Sequence, residues 1–468
     1  MAALHANQWC LLGAGLGFPF GANLKPNPTS DAWHTPIPHD PMLPSTDNSI
    51  TGAGVTVAVL DSGIVPIPQL KPNILSPGAD FVCDRKTPTH THYCPDGFDP
   101  GNWVEQTKAD LNAPPLKPSS WHGTCVASTI AANGAVSGVA PGAKILPVRC
   151  LGAGGRSFTF SNTYGDSYGN SLIRSINWAC GYPDLIDPSI PLCDHIPDVI
   201  NFSVGNTWLG LGQEPVFFCR DLDPGYWKAL SRAHERGVLI VLSAGNENMP
   251  SRLSSPARYV NSPHLDPGPG KFDNILCVAS SSDLGYMSSW SSYNDARGDS
   301  IVDEFYQRFT PIGITAPGHM IYTVQALGDR EPTQTDQGEF LADEGYTSGT
   351  SSSAPIVSGT AALMIEARIR AGLGKPTPQE LIRWLMQSAM SRNPQICDLW
   401  PFDSSLRKPG KDRFCFDSQG NRTWIKTPAR DRPYPAYNTH EFSYGAGLID
   451  ISEAVRLAMG PTLEPLKT

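Results

Sequence analysis

The strongest constraint on this chain is the alternation of short, nearly continuous apolar runs with segments of helical spacing. Gly54–Leu60 (GVTVAVL) and Val238–Gly245 (VLIVLSAG) are apolar almost throughout, the mark of strands buried on both faces. Lys144–Val148 (KILPV), after the turn Ala140-Pro141-Gly142, and Asp198–Val204 (DVINFSV) read as further strands, whereas Ser171–Ala179 has helical spacing. Asp223-Pro224 opens a helix with an Asp cap and Pro at its first position, and Gly237 closes it. Thr377-Pro378-Gln379-Glu380 is a capping box that starts a helix running through Ser388. Strands alternating with helices predict an α/β fold with a largely parallel central sheet, helices on both faces and long loop insertions. Functional groups in such sheets gather at the carboxyl ends of the strands. With no internal repeat and no low-complexity linker, one domain is expected over 46–458. An extended N-terminal segment, 1–45, would pack on it, and 459–468 would form a tail.

Composition narrows the class. The 468 residues include 44 Gly and 44 Pro, so turns and loops abound, yet 40% hydrophobic content supplies a core and excludes a disordered or coiled-coil chain. The net charge of −9 lacks the basic footprint of nucleic-acid binding, and no run of about 18 apolar residues offers a membrane span. The run Trp9–Ala14 is apolar but has no Lys or Arg before it, so it does not read as a signal peptide. A trimmed chain whose leader is absent is the expectation. Of the 11 cysteines, three neighbouring pairs (Cys83 with Cys94, Cys180 with Cys193, Cys397 with Cys415) lie in loop-like sequence rich in Pro, Asp or Gly. They fit surface disulfides in an oxidising compartment, and hence secretion; free thiols in a cytosolic enzyme are the alternative. Cys125, Cys150 and Cys277 sit in apolar runs and read as buried small hydrophobes.

Three distant segments carry chemistry. Val57–Gly63 (VAVLDSG) puts Asp61 at the end of a buried strand; Trp121-His122-Gly123-Thr124 leads into a small-residue helix; Ser348–Pro355 (SGTSSSAP) places Ser351 at the entry to an apolar helix. Alone, each has a plain structural explanation: a turn former, a helix-start surface group, a serine cap. Helix starts carry unpaired N–H groups and favour negative charge.

In the order Asp, His, Ser, these segments resemble the subtilisin-like serine proteases (subtilases). Within them the chain is most similar to the secreted bacterial type whose mature chain begins near a Gln-Trp pair, here Gln8-Trp9. The similarity runs from about residue 8 to 458 and takes in GVAPGAKILPVRCLG at Gly138–Gly152 and YGAGLIDISEAV at Tyr444–Val455. The resemblance implies that Ser351 is the nucleophile, His122 its base and Asp61 the group that orients the imidazole. It implies Asn246, in Ser243–Asn248, and the Ser351 N–H as oxyanion donors. Substrate would add as a strand between Ser203-Val204-Gly205 and Gly154-Gly155-Arg156. The primary pocket would be lined by Ser203–Gly205, Ser243-Ala244-Gly245 and Ser254-Ser255-Pro256. No acidic residue falls in these stretches, so medium or large apolar side chains are expected there. Arg156 reads either as a contact for acidic groups further along the peptide or as a solvated surface residue.

The chain departs from the family pattern in two places. Cys125 follows His-Gly-Thr where a second His is usual, and the nucleophile motif reads GTSSSAP rather than GTSMAAP; Gly349-Thr350 and Ala354-Pro355 fix the register on Ser351. The string also resembles the sedolisins, but those lack the His-Gly-Thr segment and have Asp where Asn246 stands. Asp80, Asp84, Asp96 and Asp99 surround the Cys83–Cys94 loop, and structural Ca²⁺ is the expected cofactor, against an acidic surface loop without metal. The expected activity is that of a secreted, monomeric serine endopeptidase acting on protein or peptide substrates through an acyl-enzyme. A pro-segment would assist its folding and inhibit it. The rivals are a narrow-specificity maturation protease or transpeptidase, with insertions at 157–170, 181–197 and 258–271 narrowing the cleft, and an inactive binding protein. A lipase or esterase is the weakest of the rivals.

Overall fold

A computed structural model describes residues 50–82, 95–101, 118–152, 170–207, 224–248, 251, 254–260, 272–282, 287–294, 312–389 and 445–460, together with short strands at 104–105, 116–117, 413–416 and 422–425. The expected N-terminal segment, 1–45, and nearly all of the tail, 459–468, lie outside the described residues. The strands of the central sheet are β1 (Thr56–Asp61), β2 (Ala79–Asp80), β3 (Lys144–Arg149), β4 (Val199–Phe202), β6 (Leu239–Ser243), β8 (Ile275–Ser281) and β9 (Ile312–Pro317). They lie in the order β9-β8-β6-β4-β1-β3-β2, and every neighbouring pair is parallel. Two short antiparallel pairs flank this sheet: β5 (Asn206–Thr207) with β7 (Ser254–Ser255), and β10 (Ile321–Ala326) with β11 (Ala342–Thr347).

Parallel strands need helical crossovers, and the helices fall on both faces as the sequence predicts. Val57 and Val59 of β1 face a core shared with α1 (His122–Ala131), α4 (Thr350–Arg370), α5 (Pro378–Ser388) and α6 (Ile451–Ala458). The alternate residues Ala58 and Leu60 face α2 (Ser171–Ala179) and α3 (Pro224–Glu235). The period of two along one strand thus serves two cores, which is why these runs carry almost no polar residue. The capping box is formed: Thr377 Oγ1 accepts from the Glu380 N–H at 3.2 Å, and the Glu380 carboxylate accepts from the Thr377 N–H at 2.9 Å. Helix α4 is buried on nearly every side from Thr350 to Ala367, so it runs through the core rather than over it. Its Glu366 Oε2 accepts the N–H groups of Thr51, Gly52 and Ala53 at 2.7, 2.6 and 3.0 Å, tying the chain just before β1 to the helix that starts with the serine motif.

The cysteine expectation needs correction. Cys180 and Cys193, read as one surface disulfide, are separate thiols here and lie within the core under α2 and α3. The loop between them is anchored inward, with Trp178 Nε1 donating to Pro191 O at 2.8 Å and buried Arg174 Nε to Asp184 Oδ2 at 2.7 Å. Cys125, Cys150 and Cys277 are buried thiols, as read. Cys83, Cys94 and Cys397 lie outside the described residues; Cys415 is on the short strand Arg413–Phe416. Among the described residues no helix is long and apolar enough to cross a membrane.

Candidate active site

The site is assembled from strand ends and helix starts. Asp61 is the last residue of β1 and is fully buried. Its Oδ1 accepts from the Ser62 N–H at 2.7 Å and lies 2.7 Å from His122 Nδ1. His122 is the first residue of α1, presented by Trp121, whose left-handed backbone (φ 48°) is uncommon for a bulky residue. Trp121 is held there by its own Nε1–H, which donates to Gly328 O at 2.8 Å. With Nδ1–H donated to Asp61, Nε2 of a neutral His122 is left as an acceptor. Burial alone would lower the imidazole pKa. The charge and hydrogen bond of Asp61, with the Asp99 charge behind it, outweigh burial and set it above the usual value.

Ser351 stands one residue inside the start of α4, and it alone of the three serines is partly exposed; Ser352 and Ser353 are buried. Its N–H lies in the first turn, where no intrahelical carbonyl is available. Asn246 follows β6 at the left-handed Gly245 (φ 107°) and turns back onto the same helix. Its Oδ1 accepts from Thr350 N at 2.8 Å and Thr350 Oγ1 at 2.9 Å, which fixes the amide. A Cβ added to Gly349 would lie 2.7 Å from Ser351 Oγ, 3.5 Å from Ser351 N and 3.6 Å from Asn246 Nδ2. A nucleophile oxygen and two N–H donors therefore surround one small space that glycine keeps open.

Ser203-Val204-Gly205 leave the end of β4, and β5 then pairs with β7, which brings Ser254 next to this edge. Ser203 Oγ donates to Ser351 O at 3.1 Å and accepts from Asn201 Nδ2 at 2.8 Å, while Asn201 Oδ1 accepts from Ser358 Oγ at 2.9 Å. The expected pocket edge is thus bonded to the helix that carries the serine. Ser243, Ala244 and Gly245 close the end of β6, with Gly245 N donating to Thr350 Oγ1 at 3.1 Å. Gly154, Gly155 and Arg156 lie outside the described residues. Glu247 was not anticipated: its exposed carboxylate accepts the Asn246 N–H at 2.9 Å, two residues beyond the stretch searched for acids.

The described acids of the loop expected to hold calcium are engaged by the protein's own donors. Asp80 binds Arg149 Nη1 at 3.1 Å and the Val82 N–H at 2.8 Å; Asp99 binds Ser62 Oγ at 2.8 Å and the Gly101 N–H at 2.9 Å. Asp96 accepts its own loop's Phe98 N–H at 3.1 Å, and Asp84 lies outside the described residues. Among the described residues no group of acids and histidines converges as a metal site. Asp99 is instead fully buried behind Asp61, and burial pushes its carboxyl up to about 7 against the hydrogen bonds from Ser62 and Gly101. Cys125, one turn along α1 from His122, has its thiol pushed up to about 12 by burial and by the Asp61 and Asp99 charges.

Asp61, Ser203 and Asn246 stand at or just past the carboxyl ends of β1, β4 and β6, where sites gather in parallel sheets. Residues 52–447 match the peptidase S8 subtilase family, and the chain belongs to it. An "Extracellular basic protease" of Dichelobacter nodosus is 29% identical over 75% of this chain and 49% of its own length. An "Extracellular protease" of Xanthomonas campestris pv. campestris is 29% identical over 73% of this chain and 50% of its own. The chain thus spans about half the length of these relatives. A solved protease from Pseudoalteromonas arctica has a similar fold, with TM-score 0.57 and 26% identity over 89% of this chain and 93% of that one.

Proposed function

We propose that the chain is a secreted serine endopeptidase that cleaves peptide bonds through an acyl-enzyme on Ser351. The observation that carries this reading is the convergence of Ser351 Oγ, Ser351 N and Asn246 Nδ2 on the space beside Gly349. Ser351 attacks the scissile carbonyl, and its proton passes to Nε2 of His122, whose imidazolium is stabilised by the buried Asp61 carboxylate. The negative charge that forms on the carbonyl oxygen is stabilised by the Ser351 N–H and Asn246 Nδ2–H. His122 then protonates the leaving amine, and water activated by the same imidazole releases the acid.

Substrate adds as a strand to the Ser203–Gly205 edge, and its primary side chain enters between this edge, Ser243–Gly245 and Ser254. Buried Val204 and Ala244 favour a medium or large apolar group. Secretion is supported by the names of the relatives, and monomeric action with a pro-segment that guides folding follows from the family resemblance. Digestion of casein by the full chain, with every new terminus mapped by mass spectrometry, tests the specificity. Many cuts after apolar residues are expected; cuts only after Lys or Arg, or one cut in a single protein, would overturn it.

A further inference from the structure

Behind the Asp61–His122 pair stands a buried polar group that the reaction above does not use. Ser62 is 1% exposed and Asp99 is 0% exposed. Ser62 Oγ accepts the N–H of Gly123, the second residue of α1, at 3.1 Å and donates its proton to Asp99 Oδ2 at 2.8 Å. The other Asp99 oxygen accepts the Gly101 N–H at 2.9 Å. The Ser62 backbone N–H binds Asp61 Oδ1 at 2.7 Å, and Arg149 Nε holds the Ser62 carbonyl at 3.2 Å. One residue thus contacts the carboxylate that orients the base and the helix that carries the base. The packing there is tight: a Cβ on Gly123 would lie 2.2 Å from Gly63 O and 3.1 Å from Asp61 Cβ.

We propose that Ser62, oriented by Asp99, is a positioning residue that fixes the start of α1 against the end of β1 and so keeps His122 Nδ1 on Asp61. A hydroxyl has one proton and can be satisfied in several rotations. Asp99 in its ionised form is acceptor-only, so it draws that proton to its side and turns a lone pair toward Gly123 N–H. An amide at position 99 has one acceptor oxygen for the two donors now bound there. Its N–H₂ would face either Ser62 or Gly101, and in the first case would reverse the hydroxyl toward Gly123. Small displacements of a general base carry large costs in rate, so the effect falls on turnover rather than on binding.

The inference rests on the Ser351–His122–Asp61 reading, and the experiment separates the two. Wild type, Ser62→Ala, Asp99→Asn and the double variant are compared on a peptide p-nitroanilide with an apolar scissile residue. Melting temperatures are measured alongside, and wild type is labelled with a fluorophosphonate. Each single variant is expected to lose about tenfold in kcat with KM within about twofold, and the double variant to be no slower than the slower single. Independent losses that multiply to about a hundredfold in the double would overturn the Ser62–Asp99 link. A single variant that melts lower with unchanged kcat, or that raises KM alone, would reduce the pair to a structural contact. Wild type that resists the fluorophosphonate would sink the nucleophile reading itself.

Discussion

Replacing Gly349 by alanine is expected to disable the site while leaving the fold in place. The backbone at Gly349 is extended (φ 164°, ψ 160°), a conformation any residue adopts, so the change carries no backbone strain. The added carbon would lie 2.7 Å from Ser351 Oγ, closer than real Cβ contacts allow. That oxygen is the end of a rotatable side chain, so it swings away at little cost to stability but loses its line of attack. The same carbon, 3.6 Å from Asn246 Nδ2 and 3.5 Å from Ser351 N, occupies the space the oxyanion needs. Loss of one oxyanion donor costs about 10²–10³ in turnover, or about 2.7–4 kcal/mol; that benchmark comes from an enzyme of this family. Gly349→Ala disturbs two donors and the nucleophile, so a loss of at least about 10³ in kcat/KM is expected. The assay pairs kcat/KM on a peptide p-nitroanilide with the melting temperature of the same preparation. Activity within about threefold of wild type, against the benchmark loss, would show that the reacting carbonyl does not sit beside Gly349.

Three further outcomes follow from neighbouring features. The His122 pKa is raised by Asp61 and Asp99 against burial, and only the neutral imidazole accepts the serine proton. Activity should therefore fall as pH drops through a value above the ordinary 6.5, and an acid limb of kcat/KM below 6.5 would contradict the charge balance. Cys125, 6% exposed with its thiol pushed up to about 12, should survive iodoacetamide at pH 8 with activity intact; one adduct on Cys125 of the folded enzyme would refute this. Glu366→Ala strips one acceptor from three N–H groups of residues 51–53 and should destabilise the chain by about 3 kcal/mol. A shortened half-life at elevated temperature is the readout, and an unchanged half-life would mean that the segment before β1 is held by other contacts.

Features confined to one segment were legible in the sequence. The strand ending at Asp61, the helix starts at His122 and Ser351, and the capping box at Thr377 each announce themselves within a few residues. What sequence could not show is what tertiary contact decides. Asp99 sits in a loop rich in Asp, Pro and Gly, and its composition suggested calcium; its partner Ser62 is 37 residues away, beside Asp61. Asp80's partner was hidden for the same reason, since Arg149 reaches it across 69 residues from the neighbouring strand β3. Cys180 and Cys193 flank a Pro- and Asp-rich loop that reads as surface, yet Trp178 and Arg174 draw that loop onto the core. Ser62 itself was in view beside Asp61, but nothing local marks a serine as a bridge between strand and helix.

The account turns on Ser351 as an activated nucleophile, and covalent labelling tests this most directly. The folded enzyme, His122→Ala and a denatured control are treated with a fluorophosphonate, and the adduct is located by peptide mapping. A single adduct on Ser351 in the folded enzyme, absent from both controls, is the predicted result. An adduct on Ser352 or Ser353, labelling that survives loss of His122, or no adduct on folded protein would contradict it.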